Sequence, residues 1–229
     1  MNTDELKRAT GYRAAEYVES GMVVGLGSGS TARYATLRIA ERLRAGNLHD
    51  LLGIPTSEST AELARQGGIP LTTLEEHPAI DLTIDGADEV DPDFNLIKGL
   101  GGAQLREKIV AYASKCEIIV VDSSKLVQAL GSLAPVPVEV IRFGWRSTMS
   151  ALERTGGKVT WRMAAGAPFI TDEGNYILDC RYTPAIADPT ALAAAIKAIP
   201  GVVEHGLFLG MVQRVVVASP DGVQVLEKS

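Results

Sequence analysis

No run of lysine or arginine occurs anywhere in the chain. Acidic residues outnumber basic ones 28 to 22, giving a formal charge of −6 and a pI near 5.2. A nucleic-acid binder needs a basic footprint, so that class is set aside. A small anionic substrate stays compatible, because a few local donors hold a phosphate against an acidic background. Cysteine is scarce. Cys116 and Cys180 lack metal-ligand spacing and form no disulfide framework; each sits in an apolar run and reads as a buried structural thiol. Of the histidines, His49, His77 and His205 do not pair at ligand spacing and read as structural or surface residues. No apolar stretch approaches the ~18 residues of a membrane span. The opening MNTDELKRAT carries no apolar signal region. A cytoplasmic, reducing compartment is the expectation. Internal repeats and low-complexity segments are missing as well.

What is present suits a globular α/β protein. The 229 residues are 46% apolar and 22% charged, enough for one large domain carrying a smaller one. The pattern opens with a helix that Thr3 caps and Gly21 stops. Strand Met22–Leu26, the glycine-rich GLGSGST and helix Thr31–Ala45 follow. The alternation continues with strand 51–56, helix 59–66, strand 81–85, helix 105–114 and strand 118–121. Strand and helix in turn imply a mostly parallel sheet with helices on both faces. Near Gly131 the rhythm changes to α+β texture: VEVI, a helix at 145–154, KVTWRM, NYILDCRY and a helix at 189–198. The tail QRVVVASPDGVQVLEK reads as two strands about a Pro-Asp-Gly turn. The expected organisation is therefore a catalytic α/β domain of residues 1–130 and 208–229, with a smaller α+β domain, 131–207, inserted.

Strand, glycine loop and helix together make a phosphate-binding structure, because free N–H groups at the helix start point at the anion. Ser28, Ser30 and Thr31 add hydroxyls. The dinucleotide fingerprint fails, since Ser30 stands at its third glycine and strand 51–56 carries no acidic residue. The P-loop fails for want of a lysine after the glycines. A small phosphorylated ligand fits better; a tight strand-to-helix turn with no ligand is the alternative.

DGADEVDPDFN gathers Asp85, Asp88, Glu89, Asp91 and Asp93. An EF-hand pattern starts at Asp91, Asp93 and Asn95 but breaks at Leu96 and Gly102, and no metal site is assigned. Asp85 and Asp88, three residues apart across Gly86, would perturb each other's protonation, which suits proton handling. Glu89, Asp91 and Asp93 read as a solvated acidic loop. KGLGGAQLREK then places Lys98 before Gly99, Gly101 and Gly102, a second place where backbone N–H groups face an anion, with a lysine beside a developing oxyanion. Glu107, at the start of a helix, suits a base, while Arg106 and Lys108 read as surface charges. VVDSSK puts Lys125 beyond another strand end. In a parallel sheet these strand ends converge on one rim.

GLGSGSTA, DGADEVD, KGLGGAQLREKIV and VDSSKLV, in this order and spacing, resemble the A-type ribose-5-phosphate isomerases. The likeness continues through PVPVEVI, TDEGNYILD and IPGVVEHGLF to SPDGV. The resemblance implies interconversion of D-ribose 5-phosphate and D-ribulose 5-phosphate, with no metal or organic cofactor, in a homodimer or tetramer. It also implies a substrate loop of Ser28, Gly29, Ser30 and Thr31, and a turn of Asp85, Gly86, Ala87 and Asp88. A second loop of Lys98, Gly99, Leu100 and Gly101 follows, with Glu107 as catalytic carboxylate and Lys125 as a substrate contact. Two positions depart from the family's usual pattern: Ser28 stands where threonine is common, and Leu100 where glycine is frequent. Lys7, on the first helix, is a further candidate for the phosphate. Two other readings are a non-catalytic sugar-phosphate sensor and a different sugar-phosphate enzyme such as a deaminase.

Overall fold

The structure, a computed structural model, describes residues 3–228, and of Thr3 only the backbone. The cap expected at the Thr3 side chain therefore lies outside the described residues. In chain order the elements of the first half are α1 (Thr3–Ala15), β1 (Val23–Leu26), α2 (Ala32–Arg44), β2 (Leu52–Pro55), α3 (Glu58–Gly67), β3 (Leu82–Gly86), β4 (Glu89–Val90), β5 (Leu96–Ile97), α4 (Gln104–Tyr112) and β6 (Glu117–Asp122). Then come β7 (Val136–Val140), α5 (Trp145–Glu153), β8 (Lys158–Trp161), β9 (Met163–Ala164), β10 (Ala167–Pro168), β11 (Tyr176–Arg181), α6 (Pro189–Lys197), β12 (Val202–His205), β13 (Leu207–Phe208), β14 (Arg214–Ser219) and β15 (Gly222–Glu227).

The chain divides into two compact units. The first comprises Met1–Ala87, Arg106–Lys125 and Met211–Ser229; the second comprises Asp88–Leu105 and Leu126–Gly210. In the first unit a six-stranded sheet runs β15-β14-β6-β3-β1-β2, parallel except for the edge strand β15. Its inner strands are largely apolar and buried, as a sheet covered on both faces requires. Val24, Leu26, Ile84, Ile118 and Val216 face one core with Ala14, Val18 and Ile39 of the α1–α2 side. On the opposite face Val110 of α4 packs with Ile54 and Ile80. α3 begins at a Ser57 cap, whose hydroxyl accepts the Thr60 N–H, and ends at Gly68 in the left-handed conformation.

The second unit is built on an antiparallel sheet ordered β12-β7-β11-β8. Its core includes Val136, Val138, Leu152, Leu178, Cys180 and Ile196. A smaller antiparallel sheet, β13-β5-β4, carries the stretch read above as an acidic loop. Glu89 departs from that expectation. It is buried rather than solvated, and its carboxylate accepts the backbone N–H groups of Gly131, Leu133 and Ala134 at 2.5–2.6 Å. Three amide donors make burial of the charge tolerable and pin the turn that leads into β7. Cys116 is half-buried, and burial pushes the Cys180 thiol up to about 12, so neither behaves as a reactive thiolate. No described helix is long and apolar enough to cross a membrane.

Candidate active site

In the first unit three neighbouring parallel strands deliver the expected groups at their C-terminal ends. The Ser28–Thr31 loop follows β1, Asp85 lies at the end of β3, and Lys125 lies in a single helical turn, Ser123–Lys125, after β6. The buried Asp85 ties the loop to the sheet: its Oδ1 accepts the N–H of Ser28 at 3.0 Å and of Gly86 at 2.7 Å. Gly27 makes this approach possible, since a Cβ there would fall 2.3 Å from Asp85 Oδ1.

The loop's hydroxyls diverge. Ser28 Oγ turns inward, within 2.7–3.2 Å of the hydroxyls of Thr56, Ser57 and Thr60, contacts that tie the loop to the start of α3. Ser30 Oγ turns outward and accepts from Lys7 Nζ at 2.9 Å. Gly29 sits at φ +98 with open space on its Cβ side. The N–H groups of Gly29, Ser30 and Thr31 donate to nothing among the described residues, and Thr31 makes no side-chain cap bond to α2. This is a cluster of donors at the positive end of a helix.

Glu107 lies in the first turn of α4 and is buried. One turn on, Val110 packs within 2.8 Å of where a Gly25 Cβ would sit, which seats α4 against β1. Arg106, expected as a surface charge, pairs with Glu58 at 2.8 Å and holds that carboxyl below its ordinary range.

The second unit holds Asp88 and the Lys98–Gly101 loop together. Asp88 donates its N–H to Ile97 O at 2.8 Å, and its Oδ2 accepts the Leu100 N–H at 2.9 Å. Lys98 is buried; its Nζ lies 5.4 Å from the centre of the Phe208 ring, a cation–π arrangement, and its N–H bonds Gly206 O at 2.9 Å. Gly99 takes φ +107, and Leu100 is 45% exposed. The chain passes from the first unit to the second between Ala87 and Asp88, inside the DGAD turn.

Two contributors escaped the sequence. Arg162, read only as part of a strand, bonds the carbonyl oxygens of Gly99 and Leu100. Gly206 lets β13 close on the lysine, as a Cβ there would lie 2.1 Å from Lys98 O. Neither carries a local signal, because both act through partners far away in sequence. Among the described residues no group of three or more His, Cys, Asp or Glu side chains is arranged to hold a metal ion.

The family model for ribose 5-phosphate isomerase A (phosphoriboisomerase A) matches residues 52–222. The ribose-5-phosphate isomerase A of Roseiflexus castenholzii is 55% identical over 99% of this chain and 97% of its own length. That of Gloeobacter violaceus is 57% identical over 100% of this chain and 99% of its own. Among solved structures, ribose 5-phosphate isomerase from Plasmodium falciparum superposes with a TM-score of 0.97 at 44% identity, covering 99% of this chain and 100% of that one. A D-ribose-5-phosphate isomerase in complex with phospho-erythronic acid gives 0.96 at 40% identity, with both chains covered in full. A chain that carries these carboxylates and glycine loops thus belongs, over its whole length, to the ribose 5-phosphate isomerase A family.

Proposed function

We propose that this chain interconverts D-ribose 5-phosphate and D-ribulose 5-phosphate by proton transfer through an enediolate, in the non-oxidative pentose phosphate pathway. The observation that carries the reading is the full-length likeness to ribose-5-phosphate isomerases, one of them holding phospho-erythronic acid. A sugar acid of that kind places a carboxylate where an enediolate would carry its charge.

The open-chain sugar phosphate binds with its phosphate at the N–H groups of Gly29, Ser30 and Thr31. Lys7 adds a positive charge there, which its bond to Ser30 supports. Lys125, beyond β6, is a further substrate contact. Glu107 removes the C2 proton and returns it to C1. A buried carboxylate on the first turn of a helix is rigid enough for that work. Negative charge grows on the C1 and C2 oxygens, and Lys98 with the N–H groups of its glycine loop stabilises it. Asp85 and Asp88 bind sugar hydroxyls, assist ring opening and shuttle protons between oxygens. The protein is further proposed to work in the cytoplasm as a homo-oligomer.

The test is turnover of ribose 5-phosphate by the purified protein, with and without a chelator. Chelator-resistant turnover is expected. Glu107→Gln, which keeps the size of the base and removes its function, should lower kcat about 10³-fold with KM little changed. A variant within tenfold of wild type would remove Glu107 from the role. Tight binding without turnover would point to a sensor, and ammonia release from an amino-sugar phosphate to a deaminase.

A further inference from the structure

Arg162 lies between two partners within the second unit. On one side its Nε and Nη2 hold both oxygens of Asp179, Nε to Oδ2 at 2.9 Å and Nη2 to Oδ1 in a shorter bond. On the other side Nη1 donates to Gly99 O at 2.8 Å and to Leu100 O at 3.1 Å. The ion pair is nearly buried, with side chains 11% and 17% exposed, and the guanidinium faces the Phe169 ring at 5.8 Å. The same ring closes over Gly102, where a Cβ would lie 2.4 Å from it. The guanidinium is therefore the polar tie from this side to the back of the glycine loop, beside the apolar cover that Phe169, and Ile177 of β11, give Gly102.

The consequence lies in the peptide planes. In a trans peptide the N–H points opposite to the carbonyl of the same unit. Two successive carbonyls held toward one guanidinium turn the two following N–H groups, of Leu100 and Gly101, away from it. The Leu100 N–H holds Asp88 Oδ2 at 2.9 Å. The Gly101 N–H donates to nothing among the described residues, and the Cβ side of Gly101 is open. Successive peptide N–H groups aimed the same way form an anion-binding concavity. The Gly102 N–H also donates to Gly99 O at 3.0 Å, so among the described residues it is the Leu100 carbonyl that Arg162 holds alone. A loop this rich in glycine, whose residues lose more conformational freedom on ordering than others do, needs that tie to keep its aim.

We infer that Arg162 is a positioning residue for the isomerisation: clamped by Asp179, it fixes the Gly99 and Leu100 carbonyls so that the Leu100 N–H orients Asp88 and the Gly101 N–H faces the developing oxyanion. The inference rests on the isomerase reading above. Lysine cannot substitute, since an ammonium is a point donor and cannot span the carboxylate and two carbonyls in one plane. Misplacement of a catalytic group by about 1 Å costs on the order of 10²-fold in rate, so loss of the clamp acts on kcat.

The experiment compares wild type, Arg162→Lys, Asp179→Asn and the double variant Arg162→Met/Asp179→Leu, which leaves no orphaned charge. It measures kcat and KM for ribose 5-phosphate, inhibition by 4-phospho-erythronate and by inorganic phosphate, and Tm. Arg162→Lys and the double variant should lose about 10–100-fold in kcat and bind 4-phospho-erythronate more weakly by a similar factor. Binding of inorganic phosphate should stay within about threefold, because the clamp acts on the developing charge and not on the phosphate. Asp179→Asn keeps the Nη1 bonds and should lose less than about fivefold. Arg162→Lys with kcat near wild type overturns the inference. So does equal weakening of both inhibitors alongside a fall in Tm, or failure of both Arg162 variants to fold, since either assigns Arg162 to the scaffold alone. An inert wild type overturns the isomerase reading and this inference with it; an active wild type with unaffected variants overturns this one only.

Discussion

Glu139 shows how one side chain's surroundings set a pH dependence. It is buried in β7 of the second unit, and its Oε1 accepts from Thr171 Oγ1 at 2.8 Å and Asn175 Nδ2 at 2.9 Å. Burial raises its pKa above the ordinary 4.5; the two donors oppose this, and the neighbouring charges of Asp172 and Glu173 add to it. A carboxyl that holds its proton more tightly when folded contributes most stability below its unfolded pKa and loses it as pH climbs through the folded one. Glu139→Gln keeps an oxygen for both donors and carries no charge. Its Tm should match wild type at about pH 4, below the unfolded pKa, and exceed it by a few degrees at about pH 8. A variant that melts lower at the higher pH would show that the ionised carboxylate is a net stabiliser. Glu89, also buried, accepts three backbone N–H groups where Glu139 accepts two side-chain donors. Composition cannot separate the two, since what differs is the number of donors brought from elsewhere in the chain.

At the scale of elements, the end of β1 assigns separate tasks to residues that look alike in GLGSGST. Gly25 lies inside the strand, and a Cβ there would fall 1.8 Å from Thr83 Oγ1 and 2.8 Å from Val110 Cγ1. Gly25→Ala should therefore push β3 and α4 apart, costing about 3 kcal/mol or more, seen as a lower urea midpoint at an unchanged m-value. A loss below about 0.5 kcal/mol would mean that the strand and helix can shift freely. The parallel strands and their helices were readable in the sequence because period and punctuation coincide there. Apolar runs such as 118–121 end in turns, Gly67-Gly68 stops α3 as expected, and the two-strand tail is observed as β14 and β15. The short strands β4, β5 and β13 were not legible. Two residues carry no periodicity; β5 and β13 pair because Leu96 and Ile97 meet Phe208 and Leu207 across more than a hundred positions, while β4 joins β5 locally. The motifs of the candidate site were legible as residue types at strand ends. The inward turn of the Ser28 hydroxyl and the reach of Arg162 to the Gly99 carbonyl were not, since both depend on contacts between distant segments.

On the scale of the whole chain, neither unit is a continuous segment. The backbone passes between them after Ala87, Leu105, Lys125 and Gly210, and the first three passages fall within or beside the candidate motifs. The last returns the chain to place β14 beside β6 in parallel register, from Arg214 opposite Ile118 to Ala218 opposite Asp122. Val215, Val216 and Ala218 are fully buried there, and Gln213 Oε1 accepts the Glu117 N–H at 2.6 Å. A chain ending at Gly210 would leave β6 as an apolar edge with its hydrogen-bonding groups unpaired, a template for aggregation. It should be recovered insoluble, or soluble without a cooperative thermal transition. A chain ending at Ser219 loses only β15, an antiparallel edge strand with half-exposed and exposed side chains, and should stay soluble and melt cooperatively at a lower temperature. If both chains melt alike, β14 is an addition to a core that is already complete. If only the shorter one fails, the last parallel strand belongs to the core of the first unit, and the interruption by residues 126–210 is one that folding has to bridge, at the modest entropic cost of a long loop.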